Sequence, residues 1–95
     1  MDNIIPLFGH ARPEIRVVKP VSMEEAQQAI DQLKGGQLIM CNVSELPIQL
    51  AQRIIDFLSG SVNILSGEVV KVGSGIFLYS LSEIEVAGFQ EPQSA

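Results

Sequence analysis

The 95 residues predict an α/β sandwich in which two helices pack on one side of a mixed sheet of about five strands, in the order β-α-β-α-β-β-β. Three observations lead there. Two stretches repeat their apolar residues at helical spacing. Between them Gln37–Val43 is an almost unbroken apolar run, as a strand covered on both faces would be. After the second helical stretch come short β-like runs separated by Ser-Gly and Gly-Ser-Gly turns. Right-handed crossovers then put both helices on the same side of the sheet. A chain of this length holds one domain, expected over 14–87, with tails at 1–13 and 88–95.

Taken in order, Met1–Pro13 is broken by Pro6, Gly9 and Pro13, and its apolar residues Ile4, Ile5, Leu7 and Phe8 keep no helical period. Glu14–Lys19 alternates as a strand, with Ile15 and Val17 on one face, until Pro20 closes it. Ser22-Met23-Glu24-Glu25 reads as a capping box: the Ser22 hydroxyl takes an orphan N–H and Glu25 reaches back to Ser22. Ala26, Ala29, Ile30 and Leu33 mark the inner face of the first helix, which Gly35-Gly36 stop.

Ser44 is the expected cap of the second helix and Pro47 fits its first turn. This helix has two apolar stripes, one of Ile48, Ala51, Ile55 and Leu58 and one of Leu50, Ile54 and Phe57. Together they span roughly 160°, wider than the ~100° that seating on one core requires. One stripe suits the sheet and the other suits a partner. Gly60 is expected to end the helix as a left-handed C′ residue. Ser61–Leu65, Glu68–Val72 and Ile76–Ser80 are the strands expected next, with Ile84–Val86 as a short last one.

Hydrophobic residues make up 46% of the chain and charged residues only 18%, a balance that favours self-association over a solitary monomer. A net charge of −5, with six scattered Lys and Arg, argues against nucleic acid. No apolar run reaches the length of a membrane span. A single cysteine, Cys41, fits a reducing cytoplasm.

Catalytic chemistry finds little to stand on. His10, the only histidine, has no partners at metal-ligand spacing, so neither a metal nor a cofactor is expected. Cys41 sits in the middle of an apolar strand, where a thiol is inert. Gly73-Ser74-Gly75 lacks the Lys-Ser/Thr of a phosphate loop and leads into a strand, so it reads as a hairpin turn. The chain is expected not to be an enzyme. Lys71, Phe77 and Tyr79 instead suggest an aromatic floor with one cation, suited to an apolar peptide carrying an acid, while the residue pattern alone fits Phe77 as ordinary core equally well.

Ala51-Gln52-Arg53-Ile54-Ile55-Asp56-Phe57-Leu58-Ser59-Gly60, followed by Gly67-Glu68-Val69-Val70-Lys71-Val72-Gly73-Ser74-Gly75-Ile76-Phe77-Leu78, resembles the SepF family, bacterial cell-division proteins that bind FtsZ. The likeness runs over about Glu14–Val86. It implies an α/β sandwich that dimerises, assembles further, and grips the C-terminal tail of FtsZ to help tether the division ring at the septum, on the inner face of the membrane. It implies that Ala51, Lys71 and Phe77 bind that tail and that Gly60 lies where copies meet, with Ile55 and Leu58 beside it. Family members usually begin with a membrane-inserting amphipathic helix, and Met1–Pro13 shows no basic amphipathic pattern. Membrane contact is therefore expected only through such a helix, which is not evident in this chain. Two other readings compete: a small dimeric regulatory domain binding a metabolite, and a purely structural self-assembling protein.

Overall fold

The first helix begins and ends where its backbone groups find partners. The structure, a computed structural model, describes residues 14–82. Helix α1 (Met23–Lys34) starts at Ser22, whose Oγ accepts from the Glu25 N–H at 3.1 Å. Glu25 returns the favour one residue further back than expected, its Oε1 accepting from the Val21 N–H at 3.0 Å. At the other end Gly36 adopts a left-handed φ of +100°, the Gly36 N–H donates to the Leu33 carbonyl, and the Gln37 N–H to that of Gln32. This is a Schellman stop, as Gly35-Gly36 announced.

Helix α2 (Ile48–Ile64) departs from the sequence expectation. It does not stop at Gly60 but runs a further turn, so Ser61–Leu65 is not a strand. Ile54, Leu58 and Val62 recur every fourth residue and are all essentially fully buried. Gly60 costs the helix about 1 kcal/mol relative to alanine, whereas burying a side chain such as Val62 returns about 1.5–3 kcal/mol. Packing wins. The stop lies at Ser66 instead, left-handed at φ +62°, with its N–H on the Asn63 carbonyl and the Gly67 N–H on that of Val62. A Cβ on Gly67 would lie 2.7 Å from Val62 Cγ1 and against the Ser80 carbonyl, so the chain leaves the helix through a glycine. At the start of α2, Pro47 is itself the N-cap residue and Ser44 caps nothing.

Four strands are found among the described residues, not five: β1 (Ile15–Val18), β2 (Leu38–Asn42), β3 (Glu68–Gly73) and β4 (Ile76–Ser80). The expected strand at Ile84–Val86 lies outside the described residues. The sheet order is β1-β2-β4-β3, with β1 parallel to β2 and the other pairs antiparallel. Ile39, Cys41 and Tyr79 pack with Ala26, Ala29, Ile30 and Leu33 of α1 and with Ile54, Leu58 and Val62 of α2 in one core, so both helices lie on the same side. Alternation sends the other set outward. Ile15 pairs with Leu38, Val17 with Met40, Met40 with Leu78, and Leu78 with Val70 across the helix-free face.

Candidate functional site

The polar end of β2 builds one wall of a groove. The Asn42 Oδ1 accepts from the Ser44 N–H at 2.9 Å and from the Ser44 Oγ at 2.6 Å, which folds the chain back just past the strand. The Leu46 N–H closes the turn on the Val43 carbonyl. The Val43 N–H donates to the Gly75 carbonyl at 2.8 Å, tying this turn to the β3–β4 hairpin. Gly75 is left-handed at φ +74°, and a Cβ there would lie 2.9 Å from Ser44 Cα. Only glycine lets the two loops close on each other.

The floor comes from the hairpin. Lys71 on β3 faces Phe77 on β4, and its Nζ stands 6.0 Å from the ring centroid. Behind Phe77 lies Tyr79, stacked at 6.3 Å with 24° between the ring planes. Its hydroxyl shares a hydrogen bond with Ser59 Oγ at 3.1 Å, which satisfies a phenol that is otherwise fully buried. That burial pushes the Tyr79 phenol up to about 12, and burial pushes the Cys41 thiol up to about 11. Both stay neutral at any physiological pH.

The opposite wall is the first two turns of α2, where Ile48, Ala51, Gln52 and Ile55 fall on one side at helical spacing. The groove encloses about 380 Å³. Ile48 stands on its rim, 81% exposed, a large apolar side chain left in water. Gln52 is steadied by a hydrogen bond from its Nε2 to Asp56 Oδ1 at 2.9 Å. Among the lining side chains Lys71 alone carries a charge. Among the described residues no group of three or more His, Cys, Asp or Glu is placed to hold a metal ion. The lining is thus mostly apolar, with a single cation at Lys71.

Ala51, Lys71 and Phe77, separated in sequence, thus meet in one groove, and Ile55 lines it with them. Leu58 does not belong to a surface: it is fully buried in the domain's own core. Gly60 is exposed on α2, and a Cβ there would meet nothing within 4 Å. Tyr79, expected in the aromatic floor, lies beneath it. The roles of Ser44 and Gly75 as the groove's end wall escaped sequence reading, although Asn42 two residues before Ser44 is the signal of a side-chain-closed turn. A second apolar surface is the helix-free sheet face, where Val17 is 68% and Ile15 52% exposed beside half-buried Met40 and Val70.

Fold and site together define a small two-layer α+β domain with a shallow groove lined mostly by apolar side chains. The family model of Cell division protein SepF matches residues 15–86, and the chain belongs to that family. A Cell division protein SepF of Pelotomaculum thermopropionicum is 38% identical over 87 residues, covering 88% of this chain and 58% of the relative. Cell division protein SepF 1 of Desulforamulus reducens is 39% identical over 80 residues, with 82% and 54% covered. That of Clostridium beijerinckii is 30% identical over 84 residues, with 88% and 56% covered. The chain spans little more than half the length of these curated relatives. No helix among the described residues is long and apolar enough to cross a membrane.

Proposed function

We propose that this domain is a non-enzymatic adaptor of bacterial cell division that binds the C-terminal tail of FtsZ in the groove between α2 and the β3–β4 hairpin, and that it works as a dimer. One observation carries the reading: Ala51, Lys71 and Phe77, the residues the family resemblance assigns to the tail, line a single groove. The chemistry agrees. An exposed Ile48 and a half-buried Phe77 offer apolar anchoring, and Lys71 takes an acid at the rim. Titrating a fluorescent FtsZ tail peptide with the full chain tests it, and a flat anisotropy to millimolar protein would refute it.

Self-association is supported by the helix-free sheet face. Ile15, Val17, Met40 and Val70 form a continuous apolar strip that a second copy would cover. Sedimentation velocity of the wild type and of Val17→Lys tests this. A dimer that Val17→Lys dissociates is expected, and a wild type that sediments as a monomer at micromolar concentration would contradict it. The exposed Gly60 is assigned to contacts between dimers, where a helix surface free of a Cβ allows close approach.

A further inference from the structure

Strand β1 ends the sheet on one side, and among the described residues its outer edge is open. The Leu38 N–H donates to the Glu14 carbonyl, so Glu14, Arg16 and Val18 turn their backbone groups toward β2. Ile15 and Val17 turn theirs outward. Such a row of unpaired N–H and C=O groups is a template for another strand. Beside it, α1 packs on β2 and leaves a pocket of about 220 Å³ over the end of β1, with Val18, Glu25, Gln28 and Gln32 in its lining. There Gln32 Oε1 is shut off from water with no hydrogen-bond partner among the described residues. Lys19 lines the pocket too, but Glu45 Oε2 draws its Nζ away at 3.7 Å. The pocket thus lacks a donor for Gln32 and a cation for Glu25.

We infer that β1 pairs antiparallel with β1 of a second copy about a two-fold axis at Val17, and that Arg16 of each copy enters the pocket of the other. The residues set this register. With Val17 opposite Val17, Arg16 lies opposite Val18 of the other copy, which lines the pocket. Gln37 Oε1 holds the Arg16 Nε at 3.2 Å and leaves the two Nη groups to serve Gln32, once its amide swings outward, and Glu25. Moving the axis to Arg16 would set two guanidinium groups opposite each other. Moving it to Ile15 would call on Pro13, which has no N–H to give. Space allows the pairing. The two β2 strands would lie three strand spacings apart, about 14 Å, beyond the 8–10 Å at which helices pack, so the α1 helices above them do not collide. Closure on a two-fold axis limits each edge to one partner.

Sedimentation velocity of the full chain tests this with wild type, Arg16→Glu, Glu25→Arg and an equimolar mixture of the two variants. Each variant alone sets like charges together in both pockets and should sediment at half the wild-type mass. In the mixture both pockets join opposite charges, and the wild-type mass should return. A mixture no heavier than its components overturns the inference, because the two residues then act within one chain. Variants as heavy as the wild type overturn it as well. Val17→Pro is a second check, since it removes the outward N–H at the axis and no hydrogen bond to β2, and keeps the sheet face apolar. It should also halve the mass while circular dichroism shows a folded domain; a folded Val17→Pro of full mass overturns the pairing. Contact through the sheet faces would change the mass of all these samples alike, so its failure is read separately.

Discussion

Phe77→Ala tests core packing and the proposed tail binding at one ring. Phe77 is half-buried, with one side packed on the core and the other facing the groove. A fully buried Phe→Ala change costs about 3–5 kcal/mol, so a half-buried ring costs about half of that. The stack on Tyr79 adds about 0.5–1.5 kcal/mol. The sum, roughly 2–4 kcal/mol, is tolerable for a domain whose total stability is of the order of 5–15 kcal/mol. Removing a central aromatic anchor costs binding about 2 kcal/mol or more, which is roughly thirtyfold in affinity. Urea unfolding followed by circular dichroism reads the first quantity, and anisotropy of a labelled FtsZ tail peptide reads the second. Phe77→Leu is the control, because it keeps apolar volume on the core side and loses the ring. An affinity within twofold of wild type for folded Phe77→Ala would refute the groove as the binding site.

Ser66→Gly should stabilise the domain by about 1 kcal/mol, since a residue with a Cβ now stands in the left-handed region; urea midpoints check this. Gly60→Lys should raise stability by about half a kcal/mol, because the position is exposed helix interior, while assembly beyond the dimer is lost in sedimentation. A destabilised Gly60→Lys would mean the helix does stop there. Stability should be level from neutral pH to about pH 9 and then fall. Tyr79 and Cys41 hold their protons more tightly folded, at about 12 and about 11, than at the ordinary 10.0 and 9.0. The contribution is thus complete below the ordinary values and lost as pH rises through the folded ones. Urea midpoints at pH 8, 10 and 11.5 measure the loss, which Tyr79→Phe should reduce.

Much of this was legible because local chemistry and packing agreed. Ser22 with Glu25, Gly36, and the runs around Ile39 and Phe77 each say in sequence what they do in the fold. Gly60 was misread because a glycine after an apolar stripe is the common helix stop, yet Val62 continues the stripe of Ile54 and Leu58 and holds the helix together past it. The true stop, Ser66, carries a serine where glycine is usual, so the Ser66-Gly67 turn legible in the sequence did not announce a helix end. Leu58 was assigned to an interface because two apolar stripes on one helix look alike. Only the packing of α2 in the folded domain decides that Leu58 is buried in the core and Ile55 lines the groove. Ala51, Lys71 and Phe77 line one groove, and its wall of Ser44 and Gly75 depends on contacts between residues about thirty apart. Such contacts leave no periodic trace.

The central claim, that the FtsZ tail lies between α2 and the β3–β4 hairpin, is tested most directly by filling that space. Ala51→Leu keeps helix propensity and adds three carbons at a half-buried position facing the groove. Melting should change little, and tail-peptide affinity measured by anisotropy should fall tenfold or more. A folded Ala51→Leu that binds the tail as tightly as the wild type would contradict the account.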